Sequence, residues 1–281
     1  MRYFFLLRIH HWSKNSFLFI PAFFAGVLAD WNMLILLTQG FFCFSLVASA
    51  VYIINDYRDI EKDRLHPTKK NRPLASNKVG KPTAIALIFI CVAAGLSWGF
   101  LLNQNFAIAM ILYVVINLLY SILDTVMVAS GFLIRTLAGG WLAQVEISQW
   151  LVIMVFLLSF FLAMAKRRDD LILFQEGQAP LRASSRNYTI EFLNTILSVL
   201  SGVIIVSYIM YTISEEVVRH LGNRYIYITA LFVFAGLMRF LQITMVEKRS
   251  GSPTRIFLTD PFIQITVAGW GLCFAILIYI L

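Results

Sequence analysis

The stretch NDYRDIEKDRLHPTKKNRP, Asn55 to Pro73, sets four acids and six Lys or Arg directly after a long apolar run. A helix continuing past Asn55 would hold Asp56, Asp59 and Asp63 within an arc of roughly 80°, at ~100° per residue. Carboxylates gathered on one face repel one another unless a cation joins them. A hard divalent ion meets that need, and Mg²⁺ is typically held by one or two carboxylates together with phosphate oxygens. The plainer reading is a solvated helix end whose acids pair with Arg58, Lys62 and Arg64. Beyond the acids, Pro67 and Pro73 limit helix continuation, and Lys69, Lys70 and Arg72 bring cations beside the metal position. Metal on one side and cations on the other make a cradle for diphosphate.

A second cluster lies further along. Asp124 and Arg135 stand about 20° apart around a helix and ~16 Å apart along it, so both would look into the same cavity. An Arg at membrane depth costs about 2.5 to 3.5 kcal/mol on insertion scales, which favours a polar interior or a partner over lipid. A structural ion pair or snorkelling is the alternative for Arg135, and snorkelling suits Arg239 about equally well. Lys166 and Arg167, in AKRRDDL, either complement a helix C-terminal dipole or contact phosphate.

The elements that must position these groups are apolar. Hydrophobic residues make up 59% of the 281 and charged residues 14%, and the mean hydropathy is +0.78, so the chain reads as a polytopic, all-α membrane protein. Nine stretches reach or nearly reach the length that ~30 Å of hydrocarbon requires. They are 15–29, 34–54, 83–102, 106–122, 124–143, 149–165, 191–213, 225–245 and 262–281. With the N-terminus inside, nineteen of the 23 Lys and Arg fall on the cytoplasmic side. The three long charged segments lie there too, 56–82, 166–191 and 246–261, which makes that face the working one. The N-terminal run has the look of a cleaved leader, but cleavage would reverse the parity of every later span, so it is kept as a helix. The net charge of +8 is thus topological and argues against a nucleic-acid partner. Cys43, Cys91 and Cys273 stand singly in apolar spans, and the four His show no metal spacing. No repeat or linker divides the chain, so 1–281 is read as a single domain.

Asn55 to Asp63 spells NDxxDxxxD, which resembles the first acidic motif of the UbiA superfamily of intramembrane prenyltransferases. With DRLHPTKKNRPLAS, LDTVMVASGFLIRTLAGG and AKRRDDL beside it, the chain is similar, over nearly its whole length, to the branch that holds decaprenyl-phosphate phosphoribosyltransferase. The resemblance implies nine transmembrane helices around a central cavity that opens to the cytoplasmic side of the inner membrane. It implies Mg²⁺ on Asp56, Asp59 and Asp63, with Asp124 also catalytic. Substrate contacts would come from Lys14, Asn55, Arg58, Lys69 and Arg72, and from Tyr120, Arg135, Lys166, Arg167 and Tyr188. Lys14, Tyr188 and Asp260 match family positions more loosely, with an interfacial anchor as the alternative for each. Two departures stand out. Superfamily members that prenylate aromatic rings carry a second motif, DxxxD, and here Asp124 is followed four residues on by Val128. The phosphoribosyl branch carries extra residues with a lysine between a Tyr like Tyr120 and an Asp like Asp124, whereas YSILD runs straight through. Either this chain dispenses with that lysine or residues are missing from the sequence between Ile122 and Asp124.

The chemistry so implied is Mg²⁺-dependent transfer of a 5-phosphoribosyl group from phosphoribosyl pyrophosphate to a polyprenyl monophosphate, releasing pyrophosphate. A phosphate monoester has a second pKa of about 6, so the nucleophile needs no general base at neutral pH. The nearest rival uses an allylic prenyl diphosphate to alkylate an aromatic or other polar acceptor. A transporter with an acidic gate is the rival from another class, and the paired broken helices such proteins show are not apparent here.

Overall fold

In hydrocarbon every backbone N–H and C=O must be satisfied within the chain, and long apolar runs meet that demand as helices. A computed structural model describes residues 2–65, 69–118, 124–177, 188–247 and 253–280, and the side chains of all of these but 124, 125, 220 and 253–255. The described residues contain no strand. Arg2–Leu6 (α1) leads through a 3₁₀ segment, Ile9–Phe19, into the short helix Ile20–Phe24 (α2). Trp31–Arg58 (α3), Ile60–Arg64 (α4), Lys81–Leu102 (α5), Gln104–Leu118 (α6) and Asp124–Ala143 (α7) follow. Then come Gln149–Gln175 (α8), Ile190–Ile213 (α9), Glu215–Leu221 (α10), Ala230–Leu241 (α11), Pro253–Thr259 (α12) and Pro261–Tyr279 (α13). Short polar side chains start several of them. Asp30 accepts a hydrogen bond from the Asn32 N–H at 2.9 Å, Ser148 from Trp150 at 3.2 Å, Thr189 from Phe192 at 3.2 Å and Asp260 from Ile263 at 3.0 Å.

Seven helical stretches among the described residues are long and apolar enough to cross a membrane: Trp31–Arg58, Lys81–Leu102, Val126–Ala143, Gln149–Gln175, Ile190–Ile213, Ile226–Val246 and Pro261–Tyr279. Each corresponds to an expected span. The expected span at 15–29 is instead the 3₁₀ segment and α2, with Pro21 near the start of α2. The polar run HHWSKNS gives that segment side-chain partners on α3. The expected span at 106–122 is the shorter helix α6, and 119–123 lie outside the described residues. The span expected to end at 165 runs on as helix through Lys166 to Gln175.

The chain divides into two compact units, residues 1–122 with 131–147, and 123–130 with 148–281. In the first, Phe44, Phe106, Met110, Ala138 and Leu142 form a core with at most 1% exposure. The 3₁₀ segment approaches α7 closely there, because a Cβ at Gly139 would overlap the Leu18 carbonyl. Gly139→Val should therefore cost about 1–3 kcal/mol or more, read as a lower melting temperature in detergent. In the second unit Phe161, Leu193, Leu197, Phe240 and Ile263 are buried together. A polar knot ties it as well: Tyr208 Oη lies 2.8 Å from Thr229 Oγ1 and accepts from Trp270 Nε1 at 2.6 Å.

Candidate active site

Ser45, Ser49 and Asp56 lie on one stripe of α3, since intervals of four and seven residues return to nearly the same face. The N-terminal segment reads that stripe residue by residue. Asn15 Nδ2 donates to Ser45 Oγ at 2.8 Å, Trp12 Nε1 donates to Ser49 Oγ at 3.0 Å, and Ser49 Oγ donates to the Leu7 carbonyl at 2.8 Å. This stitching sets Arg8 against the end of α3. Arg8 pairs with Asp56 Oδ1 and lies 5.1 Å from the Tyr52 ring centroid. Its backbone is left-handed, at φ 50° and ψ 46°.

The helix expected to continue past Asn55 is interrupted. Asp59 takes φ −99° and ψ 10° as the cap between α3 and α4. The break lets Ile60 turn into an apolar cluster with Leu6, Ile53, Leu74 and Val79. As a result the three aspartates do not share one face. Asp56 and Asp63 are buried and converge on a single guanidinium, with Arg72 Nη1 3.0 Å from Asp56 Oδ1 and 2.6 Å from Asp63 Oδ2. Asp59 stands aside, its side chain 47% exposed and 3.7 Å from Lys62 Nζ. No group of three His, Cys, Asp or Glu among the described residues is placed to hold a metal.

Arg72 is delivered by a fastened strap. Its carbonyl accepts from Ser76 Oγ at 2.8 Å and from the Ser76 N–H at 2.9 Å, while the Pro73 carbonyl accepts from the Val79 N–H at 3.1 Å. Leu74 is buried to 2%. Arg64 ties the strap back to α4, donating to the Ala75 carbonyl at 3.3 Å and to Asn77 Oδ1 at 3.0 Å. Lys69 Nζ stands 4.0 Å from Asp63, and Lys70 is exposed. Asn55 is half-buried, and Arg58 is exposed, its Nη1 donating to the Leu118 carbonyl at 3.3 Å.

Arg135 is 4% exposed and held by uncharged groups. Nε donates to Asn15 Oδ1 at 2.7 Å, Nη1 to the Gly131 carbonyl at 2.8 Å and Nη2 to Tyr113 Oη at 2.9 Å. The rings of Tyr113, Phe44 and Phe132 surround it, with centroids at 4.6, 5.4 and 5.5 Å. The snorkelling and ion-pair alternatives for Arg135 do not hold among the described residues. Lys14 is half-buried beside this cation, and burial, then Arg135 and Arg8, lower its pKa to about 8. An unfolded Lys titrates near ~10.4. Lys14 is therefore charged at neutral pH and neutral well before an ordinary lysine. Binding of a lipid phosphate should weaken as pH rises past 8, and Lys14→Met should flatten that limb while lowering affinity below it. An unchanged pH profile in the variant would remove Lys14 from the site.

In the second unit Lys166 is exposed, and buried Arg167 pairs with Asp170 at 3.0 Å. Buried Arg168 donates to Asn194 Oδ1 at 2.6 Å. Tyr188 stacks on Phe192 at 5.9 Å between centroids. Arg239 lies in the last turn of α11. It pairs with Asp260 at 2.8 Å and Glu247 at 2.7 Å, and the first of these hydrogen bonds holds the Asp260 carboxyl below the usual range. Tyr120 and the Asp124 side chain, with the lysine-free YSILD segment, lie outside the described residues. Sequence reasoning missed Arg8, Asn15 and Tyr113. The available signal was Ser45 and Ser49, two polar residues at helical spacing in an otherwise apolar span, which required polar partners.

Residues 16–172 match the UbiA prenyltransferase family. Over its length the chain is similar to decaprenyl-phosphate phosphoribosyltransferase of Corynebacterium glutamicum, with 30% identity covering 98% of this chain and 86% of the relative. The enzyme of that name from Mycolicibacterium smegmatis is also 30% identical, covering 94% and 88%. Among solved structures, a UbiA homolog from Archaeoglobus fulgidus bound to DMAPP and Mg²⁺ superposes with a TM-score of 0.69 at 18% identity, covering 100% of both chains. The helical fold, the acidic end of α3 and these likenesses agree, and the chain belongs to the UbiA prenyltransferase family as a membrane-bound transferase.

Proposed function

We propose that this protein transfers the 5-phosphoribosyl group of phosphoribosyl pyrophosphate to a polyprenyl monophosphate. A phosphate oxygen of the lipid attacks C1 of the ribose, the bond from C1 to pyrophosphate breaks, and the configuration at C1 inverts. The observation that carries the reading is the convergence of buried Asp56 and Asp63 on one cationic group, with Arg8 and Lys69 at their flanks. Similarity to two decaprenyl-phosphate phosphoribosyltransferases supports the choice of donor and acceptor.

A divalent ion fits this pair, because two buried carboxylates already serve a shared positive charge, and Mg²⁺ completes such a shell with phosphate oxygens. Asp56 and Asp63 would hold it, and Asp59, which stands apart at the cap, is assigned to the same set by family position. When bound, the ion supplies charge neutralisation for departing pyrophosphate. Arg72, Lys69 and Arg58 orient the diphosphate, and Lys14 and Arg135 supply positive potential for the acceptor phosphate. Asn55, Tyr120, Asp124, Lys166, Arg167 and Tyr188 are assigned to the same reaction by family position. Loop charge favours the cytoplasmic face of the inner membrane.

The A. fulgidus homolog with DMAPP favours a second reading, transfer of a prenyl group from an allylic diphosphate. Purified protein given labelled phosphoribosyl pyrophosphate and polyprenyl phosphate separates the two. A labelled, Mg²⁺-dependent lipid product is the expected result, and labelling from prenyl diphosphate alone would reverse the assignment.

A further inference from the structure

The geometry points to Arg72 as a resident counter-ion that Mg²⁺ must displace, so that the site takes metal together with a diphosphate and excludes the free ion. This rests on the metal reading above. Asp56 and Asp63 each lie against Arg72 Nη1, at 3.0 and 2.6 Å, where a shared divalent ion would lie. Both carboxylates are buried, with side chains 2% and 4% exposed, while Arg72 is 28% exposed. The acids are the fixed element and the guanidinium the one with room to leave. Asp56 also holds Arg8, so two carboxylates face two guanidiniums, and Lys69 adds a third cation at 4.0 Å.

A bare Mg²⁺ entering this set, whose two carboxylates the resident cations already offset, leaves excess positive charge in a low-dielectric place. A diphosphate brings several negative charges and removes that excess. It also gives Arg72 somewhere to go: both ion pairs use Nη1 alone, and a guanidinium carries five donors suited to phosphate oxygens. The exchange needs side-chain rotation only, because Leu74 and the Ser76 and Val79 hydrogen bonds fasten the backbone on either side. Arg72 is thus a positioning residue with two posts. It holds the carboxylates in register until substrate arrives, and then it holds the substrate.

Equilibrium dialysis of purified full-length protein with radiolabelled Mn²⁺, with and without pyrophosphate, tests this. Wild type should retain Mn²⁺ weakly alone, and pyrophosphate should tighten it by roughly 5- to 150-fold. Arg72→Met should retain Mn²⁺ alone more tightly than wild type by a similar factor and lose most of the pyrophosphate effect. Arg72→Lys, whose ammonium cannot fork between acids and phosphate, should fall between them and guards against misfolding of the first variant, with melting curves recorded for both. Variants that bind Mn²⁺ no tighter than wild type would overturn the exchange. Wild-type retention of Mn²⁺ and pyrophosphate by Asp56→Asn and Asp63→Asn would instead overturn the metal reading beneath it.

Discussion

Asp56→Asn should lose at least ~10³-fold in kcat/KM and also melt at a lower temperature. The two losses have separate causes. Turnover falls because the amide no longer offers an anionic ligand to a divalent ion. Stability falls because Asp56 Oδ1 is the shared acceptor of Arg8 and Arg72, and removing one partner of a buried pair leaves the others' charge uncompensated at about 3 kcal/mol. Asp63→Asn should behave alike, since its carboxylate is 4% exposed against Arg72. Asp59→Asn should differ: its side chain is 47% exposed and meets a lysine at 3.7 Å among the described residues, so the melting temperature should hold, while turnover is lost with the carboxylate it is proposed to lend the ion. Assay and melting curve on all three variants check the pattern. Normal activity in Asp59→Asn would remove that residue from the metal set, and normal activity in Asp56→Asn would remove the metal centre altogether.

Arg135→Gln carries the second large effect. Its three donors meet Asn15, Gly131 and Tyr113, none of them charged, so its positive potential is directed at something other than a protein carboxylate among the described residues. Binding of a polyprenyl phosphate should weaken by about 10²-fold, the worth of a charge-assisted contact in a dry site. The variant should also move the alkaline limb. After burial, Arg135 is the leading cause that lowers Lys14 to about 8. Removing it lets Lys14 stay protonated to higher pH, so the limb should move upward. Arg135→Lys should restore the limb towards its original place but not the affinity, because an ammonium cannot span three partners in a plane. A limb that stays put in Arg135→Gln would disconnect the two residues.

Much of this was legible in the sequence because lipid permits few choices. Apolar length fixed the helices, and the acids after Tyr52 marked the end of α3 that is proposed as the working one. Three local features were not legible. A regular helix through Asp59 was the natural extrapolation, but burying Ile60 against Leu6 and Leu74 outweighs one turn's regularity, and that preference depends on residues far away in the chain. The first expected span takes a different form, a 3₁₀ segment with a short α-helix, for a related reason. Its hydropathy suffices for a crossing, yet Trp12 and Asn15 find hydrogen-bond partners on α3, and those partners exist only once α3 has packed beside them. Arg72 was read as a phosphate contact; its present hold on both aspartates is a matter of three-dimensional reach that spacing does not reveal.

Position 8 carries a conflict. A left-handed backbone at φ 50° suits glycine or asparagine, and a long side chain there stores strain of order 1 kcal/mol or more. The chain nevertheless keeps arginine, whose head group must reach across to α3. Mutant libraries randomised at this codon should therefore return arginine even under thermal challenge, because uncovering one flank of the buried Asp56 carboxylate costs about 3 kcal/mol, more than the ~1 kcal/mol of strain a small residue would relieve.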